Sequence, residues 1–202
     1  MDEAQKILIK KVGVLYQKYG IRSVTMDDVA KNLGISKKTL YSIVKDKNEL
    51  VEKVVDGQLE IQKQEDDKFK ELEHNAFEEM LFVFKTVSEL LRKMNPSYHY
   101  DLNKYYPHLC EKFMTSKRDH LYNNIKQNLI KGKKEGIYRK EINEDIIAKM
   151  NTDLNISMMN KGDESIPWFN TETFQEIFLY HIHAILNDKG RELLKQKQFS
   201  KI

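Results

Sequence analysis

The sequence predicts an all-α protein: a small N-terminal three-helix, helix-turn-helix domain over residues 1–50, then a larger helical domain over 51–202. Three observations carry this. The 202 residues hold only 3 prolines and 8 glycines, too few turn residues for a β-sandwich. Apolar residues recur three and four places apart along most of the chain. Near the N-terminus, two short amphipathic stretches are parted by Gly34-Ile35-Ser36, the punctuation of a helix-turn-helix. Apolar residues make up 40% of the chain and charged residues 32%, which supports a folded core rather than disorder.

In the first helix, Leu8, Val12, Leu15 and Tyr19 form an apolar stripe, with Lys6, Lys10, Lys11 and Lys18 largely off it. Gly20 suits the C′ position. Thr25 is placed to cap the second helix, and Asp28, three residues on, completes a capping box with Asp in place of Glu. That helix turns Val29, Ala30 and Leu33 inward and stops at Gly34, where the tight turn calls for a positive φ. Ile35 is expected to plug the gap between the two helices. Ser36 caps the third helix, with Leu40 and Val44 on its buried side. Asp46 caps a long helix from Lys47 to about Asp67. Further helices are expected near 70–94, 98–112, 115–134, 143–160, 171–187 and 190–198. Asn95-Pro96, the stretch from Gly132 to Gly136, and Lys161-Gly162-Asp163 punctuate them. Residues 195–202 are expected to fray.

Charge is uneven. Residues 1–50 hold ten Lys/Arg against six Asp/Glu, and residues 51–202 hold 24 against 25. The positive excess lies where a polyanion could be met. A recognition helix presents its N-terminal residues to base edges in the major groove. Ser36, Lys37, Lys38 and Thr39 occupy those positions, with either lysine able to donate to guanine. Tyr41 and Ser42 lie farther along and are expected at phosphates. Lys47 at the next helix start, with Thr25 and Met26 at the second, is expected to hold the backbone from either side.

These residues carry a resemblance. LYQKYG (15–20), VTMDDVAKNLGISKKTLY (24–41) and KNEL (47–50), at this spacing, resemble the DNA-binding domain of TetR-family transcriptional regulators. The family commonly has His-Phe where this chain has Ile43-Val44. Val44 keeps the position apolar, and Ile43 removes one expected backbone contact. DLNKYYPHL and GIYRKEI resemble, more loosely, a C-terminal domain common among such regulators. The resemblance implies similar DNA roles for Thr25, Tyr41 and Lys47. It also implies a C-terminal domain that binds a small ligand between its central helices and dimerises through its last two long helices.

On that basis Phe77, Leu81, Phe84, Tyr98, Leu102, Tyr105, Tyr106 and Phe113 are the candidate ligand-lining residues. An aromatic stripe at helical spacing is equally what a plain core needs. Each tyrosine hydroxyl needs a partner if buried. Met150, Leu154 and Met158 form one stripe, and Phe174, Phe178, His181 and Ile185 another; together they are the candidate homodimer interface. A two-fold dimer fits a palindromic operator in double-stranded DNA. The resulting expectation is a ligand-responsive regulator, a repressor in the first instance, whose effector alters the spacing of the recognition helices. The rival reading is a helical ligand-binding or protein-interaction module that has lost DNA binding.

Enzyme readings find no support. No HExxH, CxxC, GxSxG, Walker loop or GxGxxG occurs. His181 and His183 are two apart on a helix and share no face. No metal site, catalytic residue or cofactor is expected. Cys110 is the single cysteine and is expected to be buried in a reducing compartment. The N-terminus lacks a signal-peptide pattern. The longest uncharged run, Ile177 to Asn187, falls well short of the roughly 20 residues that span a bilayer. A cytoplasmic location follows as an expectation, with no membrane partner.

Overall fold

The computed structural model describes residues 3–70, 74–93, 95–160 and 171–196. The elements are α1 Glu3–Tyr19, α2 Met26–Leu33, α3 Lys37–Ile43, α4 Lys47–Lys70, α5 Ala76–Lys93, α6 Ser97–Tyr105, α7 Pro107–Lys134, α8 Glu144–Asn160, α9 Thr171–Ile185 and α10 Asp188–Gln196. Among the described residues there is no strand. A single antiparallel bridge joins Tyr138 and Leu186. The protein is all-α. The expected break at Lys161-Gly162-Asp163 lies outside the described residues, as does most of the expected frayed end.

The chain forms two compact units. The first comprises Met1–Leu72 with Lys93–Ser116, the second Glu73–Arg92 with Lys117–Ile202. Helix α4 falls within the first unit; α7 has residues in both, and α5 lies in the second except for its last residue, Lys93.

In the first unit, α1 buries Ile9, Val12, Gly13 and Tyr16. The inward face is therefore rotated from the expected stripe: Leu8 and Leu15 are half-buried and Tyr19 is exposed. Close packing on α4 explains the rotation. A Cβ on Gly57 would lie 2.8 Å from Ile9 Cγ2, so the helices approach through a residue without a side chain. Val51, Val54, Val55 and Leu50 complete this core. The α5–α6 link adds to it, because Asn95 N–H donates to Gln17 O at 3.0 Å and Asn95 Nδ2 to Lys18 O at 3.1 Å, closing the end of α1.

The expected helices 98–112 and 115–134 are a short and a long one, broken at Tyr106. Pro107 opens α7 rather than sitting inside a helix. Its missing N–H is one that a first turn leaves unpaired anyway.

In the second unit, Phe77, Leu81 and Phe84 of α5 pack with Leu129, Tyr138, Ala148, Phe174, Phe178, Ile182 and Leu186. The Phe84 ring stacks on Phe174 at 5.7 Å and leans on Phe178 at 4.3 Å. Gly132 does not end α7. It lies inside the helix because Tyr138 packs on its backbone: a Cβ there would meet the ring at 2.1 Å. The turn comes instead at Gly136, with φ +69°. Asn187 secures this corner by donating Nδ2 to Gly136 O at 3.0 Å and Tyr138 O at 3.2 Å.

Candidate functional site

Local signals build the front of the helix-turn-helix. Thr25 accepts Asp28 N–H at 3.1 Å, and Asp28 Oδ2 accepts Thr25 N–H at 2.9 Å, a reciprocal capping box. The Thr25 hydroxyl, which donates to Asp28 Oδ2 at 2.7 Å, and then the Thr25 N–H hold the Asp28 carboxyl below its usual range. Gly34 ends α2 at φ +68°, and its N–H returns to Ala30 O and Lys31 O. Val29, Ala30, Leu40 and Val44 are buried, while Leu33, Ile35 and Ile43 are half-buried. The short turn thus holds α3 by its apolar side and leaves the other face in solvent.

The α3 residues differ in how free they are. Ser36 Oγ accepts Thr39 N–H at 3.0 Å and meets Thr39 Oγ1 at 2.8 Å, so its hydroxyl is engaged in capping. Ser42 donates to Thr39 O at 2.7 Å. Lys37 Nζ pairs with Asp27 at 2.6 Å, which raises the lysine pKa through that hydrogen bond. Lys38 is exposed and makes no ion pair among the described residues. Tyr41 is 49% exposed and stands off the same helix. Met26 is half-buried at the start of α2.

Lys47 points inward. Its Nζ donates to Val24 O at 2.7 Å and to Arg22 O at 3.4 Å. Burial lowers its pKa. The lysine expected at a phosphate therefore ties down the α1–α2 loop. The α4 N-terminus is itself partly satisfied: Glu49 N–H donates to Asp46 Oδ1 at 2.9 Å, and Lys45 N–H to Glu49 Oε2 at 2.7 Å.

Sequence reasoning missed Asp101. This buried carboxylate on α6 accepts Arg22 N–H at 2.7 Å. A Cβ on Gly20, at φ +83°, would sit 3.1 Å from both Asp101 Oδ2 and Ser97 Cβ. The loop entering α2 is thus wedged on α6. The available signal was a charge one step from Leu102 on an otherwise apolar face.

The candidate ligand-lining residues divide between the units. Phe77, Leu81 and Phe84 belong to the second-unit core. Tyr98, Leu102, Tyr105, Tyr106 and Phe113 belong to the first. Tyr98 is buried and donates to Gln58 Oε1 at 2.8 Å, and burial pushes its hydroxyl up to about 12. Tyr105 is 40% exposed and Tyr106 half-buried. Tyr16 Oη and Gln58 Nε2, buried in the same unit, have no hydrogen-bond partner among the described residues.

The candidate dimer residues also divide. Met150 and Leu154 are exposed, at 56% and 44%, and Ile146 extends their stripe at 63%. Met158 is buried. Phe174, Phe178 and Ile185 pack into the chain's own core. His181 is half-buried, and burial lowers its pKa to about 4. Tyr180 on α9 is 73% exposed.

Among the described residues, no group of three or more His, Cys, Asp or Glu could hold a metal ion, and no helix is long and apolar enough to cross a membrane. Cys110 is half-buried, and burial raises its thiol pKa.

The family model of the bacterial regulatory proteins of the tetR family matches residues 14–54. No curated protein matches the chain. Among solved structures, a transcriptional regulator from Cytophaga hutchinsonii has a TM-score of 0.69 at 19% identity, over 92% of this chain and 100% of its own. A transcriptional regulator from Saccharomonospora viridis in complex with choline has a TM-score of 0.63 at 16% identity, over 93% and 100%. Reduced NemR of E. coli has a TM-score of 0.66 at 10% identity, over 91% and 97%. At these identities the likeness is one of fold. The chain has the fold of TetR-family transcriptional regulators, with that family's helix-turn-helix domain at its N-terminus.

Proposed function

We propose that this chain is a cytoplasmic, dimeric, ligand-responsive DNA-binding regulator, acting as a repressor, with α3 as its recognition helix. The observation that carries the reading is the capped helix-turn-helix whose exposed face offers Lys38, Thr39 and Tyr41. Lys38 holds no competing ion pair among the described residues, so it donates to a base or phosphate at no internal cost. Lys37 must first leave Asp27, but the pair is exposed and solvent screens it, so little holds the lysine back.

Two copies would join through the exposed stripe Ile146, Met150 and Leu154 on α8 with Tyr180 on α9. That surface supports a smaller interface set than the two full stripes read from the sequence. The dimer would read a palindrome with half-sites about 34–36 Å apart, or a multiple of that. One structure of this fold holds choline, which supports a small-molecule effector here as well. A coupling of about 1–3 kcal/mol between effector and DNA changes affinity roughly 5–150-fold.

The test is fluorescence anisotropy with the duplex flanking the chain's own gene. Lys38→Ala is expected to weaken binding by about 1–3 kcal/mol if it reads a guanine, and Lys37→Ala by less. A variant with Lys37, Lys38 and Thr39 all replaced by Ala that binds as tightly as the parent at low salt would remove α3 from the recognition role.

A further inference from the structure

The first unit carries a second concentration of positive charge that the recognition helix does not use. Arg22 stands in the α1–α2 loop, with its guanidinium carbon 5.1 Å from the centre of the Tyr105 ring. Lys104 on α6 has its Nζ 5.7 Å from the same ring and 5.0 Å from the Tyr100 ring. Arg22 Nη1 donates to the Tyr105 hydroxyl, and Lys104 Nζ donates to the Tyr100 hydroxyl at 2.6 Å. Neither cation forms an ion pair among the described residues. The single acid between residues 95 and 106, Asp101, is buried and occupied by the Arg22 backbone N–H.

The inventory of groups is one-sided. Each phenol accepts from a cation and keeps its own hydrogen to give. Two cations and two O–H donors are presented together, both rings 40% exposed. Like charges sharing one ring repel, and an anion set between them relieves that repulsion. The site is open, so a lone small anion would be weakly held there. A polyanion with contacts elsewhere would not.

The chain itself says where those contacts are. Arg22 precedes Thr25 by three residues, a span of at most about 10 Å. Lys47, at the start of α4, bonds the Arg22 and Val24 carbonyls. The patch is therefore continuous with the front of the helix-turn-helix. Its geometry is also preset, because buried Asp101 holds the Arg22 backbone.

We propose that Arg22, Lys104, Tyr100 and Tyr105 grip the phosphodiester backbone of the duplex outside the half-site read by α3. The inference rests on the DNA-binding reading. Contact with flanking phosphate adds affinity and salt dependence but no sequence preference.

The experiment uses the full chain, a duplex bearing its binding sequence with long flanks, and the same duplex trimmed to that sequence, in a potassium chloride titration. The double variant Arg22→Ala with Lys104→Ala is expected to bind the long duplex with a slope of log affinity against log salt about 1.8 smaller in magnitude, about 0.9 for each phosphate lost. Its loss should not depend on flank sequence, and the trimmed duplex should bind variant and parent alike. Arg22→Lys with Lys104→Arg should keep the slope. Should the double variant melt early, the exposed single change Lys104→Gln is read instead, with a slope loss of about 0.9. An unchanged slope on the long duplex overturns the proposal while leaving the recognition helix in place. A parent chain that binds no duplex overturns both.

Discussion

Replacing Gly132 by Ala in α7 should destabilise the protein, against the direction that helix propensity alone gives. In an exposed helix interior the change would gain about 1 kcal/mol. Here the new Cβ would lie 2.1 Å from Tyr138 Cδ2 and 2.2 Å from Cε2, more than an ångström inside normal contact. Tyr138 cannot swing away freely: it is fully buried, and its hydroxyl donates to Asn128 Oδ1 at 2.9 Å. Asn128 is in turn fixed by donating to Ala76 O at 2.8 Å. Overpacking of this kind costs about 1–3 kcal/mol, and a weakened hydroxyl bond about 1 more. After the propensity gain, a net loss of about 1–3 kcal/mol remains. Urea unfolding followed by circular dichroism should show a lower midpoint with an unchanged slope. Adding Tyr138→Leu should recover part of the loss. A Gly132→Ala variant as stable as the parent, or more so, would refute the account of why α7 runs through this glycine.

Other expectations follow the same logic. Thr25→Ala removes the reciprocal cap on α2 and should cost about 1 kcal/mol of stability, measured by thermal melting. Tyr16→Phe deletes a buried hydroxyl that has no partner among the described residues and should be neutral or stabilising, whereas Tyr98→Phe orphans Gln58 Oε1 and should cost about 1 kcal/mol or more. A reversed order of those two midpoints would contradict the hydrogen-bond assignment. Burial lowers the His181 pKa from 6.5 to about 4, so between these values the unfolded chain binds the proton first. Stability should be intact above about pH 6.5 and fall with decreasing pH, by at most about 3 kcal/mol from this group. A His181→Leu variant should lack that part of the slope in pH-dependent urea titrations.

Local signals were legible in the chain. The Thr25–Asp28 box, the positive φ at Gly34 and the Ser36 cap each act over three or four residues, and each is encoded by residue types that do little else. Features set by distant partners were not. The inward face of α1 depends on Gly57, so a stripe counted within α1 alone misplaces it. Pro107 reads as an interruption until its place at a first turn is known. Lys47 looks like a phosphate ligand because nothing near it in sequence shows the Val24 carbonyl it reaches. The Asp101 bond to Arg22 spans 79 positions. Phe174 and Phe178 carry the spacing of an interface stripe, but Phe84 supplies their partner from within the chain.

The attachment of α6 to the α1–α2 loop bears on how such proteins could be recombined. Asn95, Ser97 and Asp101 pack on segments laid down some eighty residues earlier, so the helix-turn-helix domain is not a detachable front piece. A fragment cut after residue 72 would strip the Arg22 amide of its acceptor and uncover the far end of α1. Grafting this domain onto another helical domain would require carrying residues 93–116 across as a second, separate insert. A chimera joined at one crossover alone should be less soluble than one built from both.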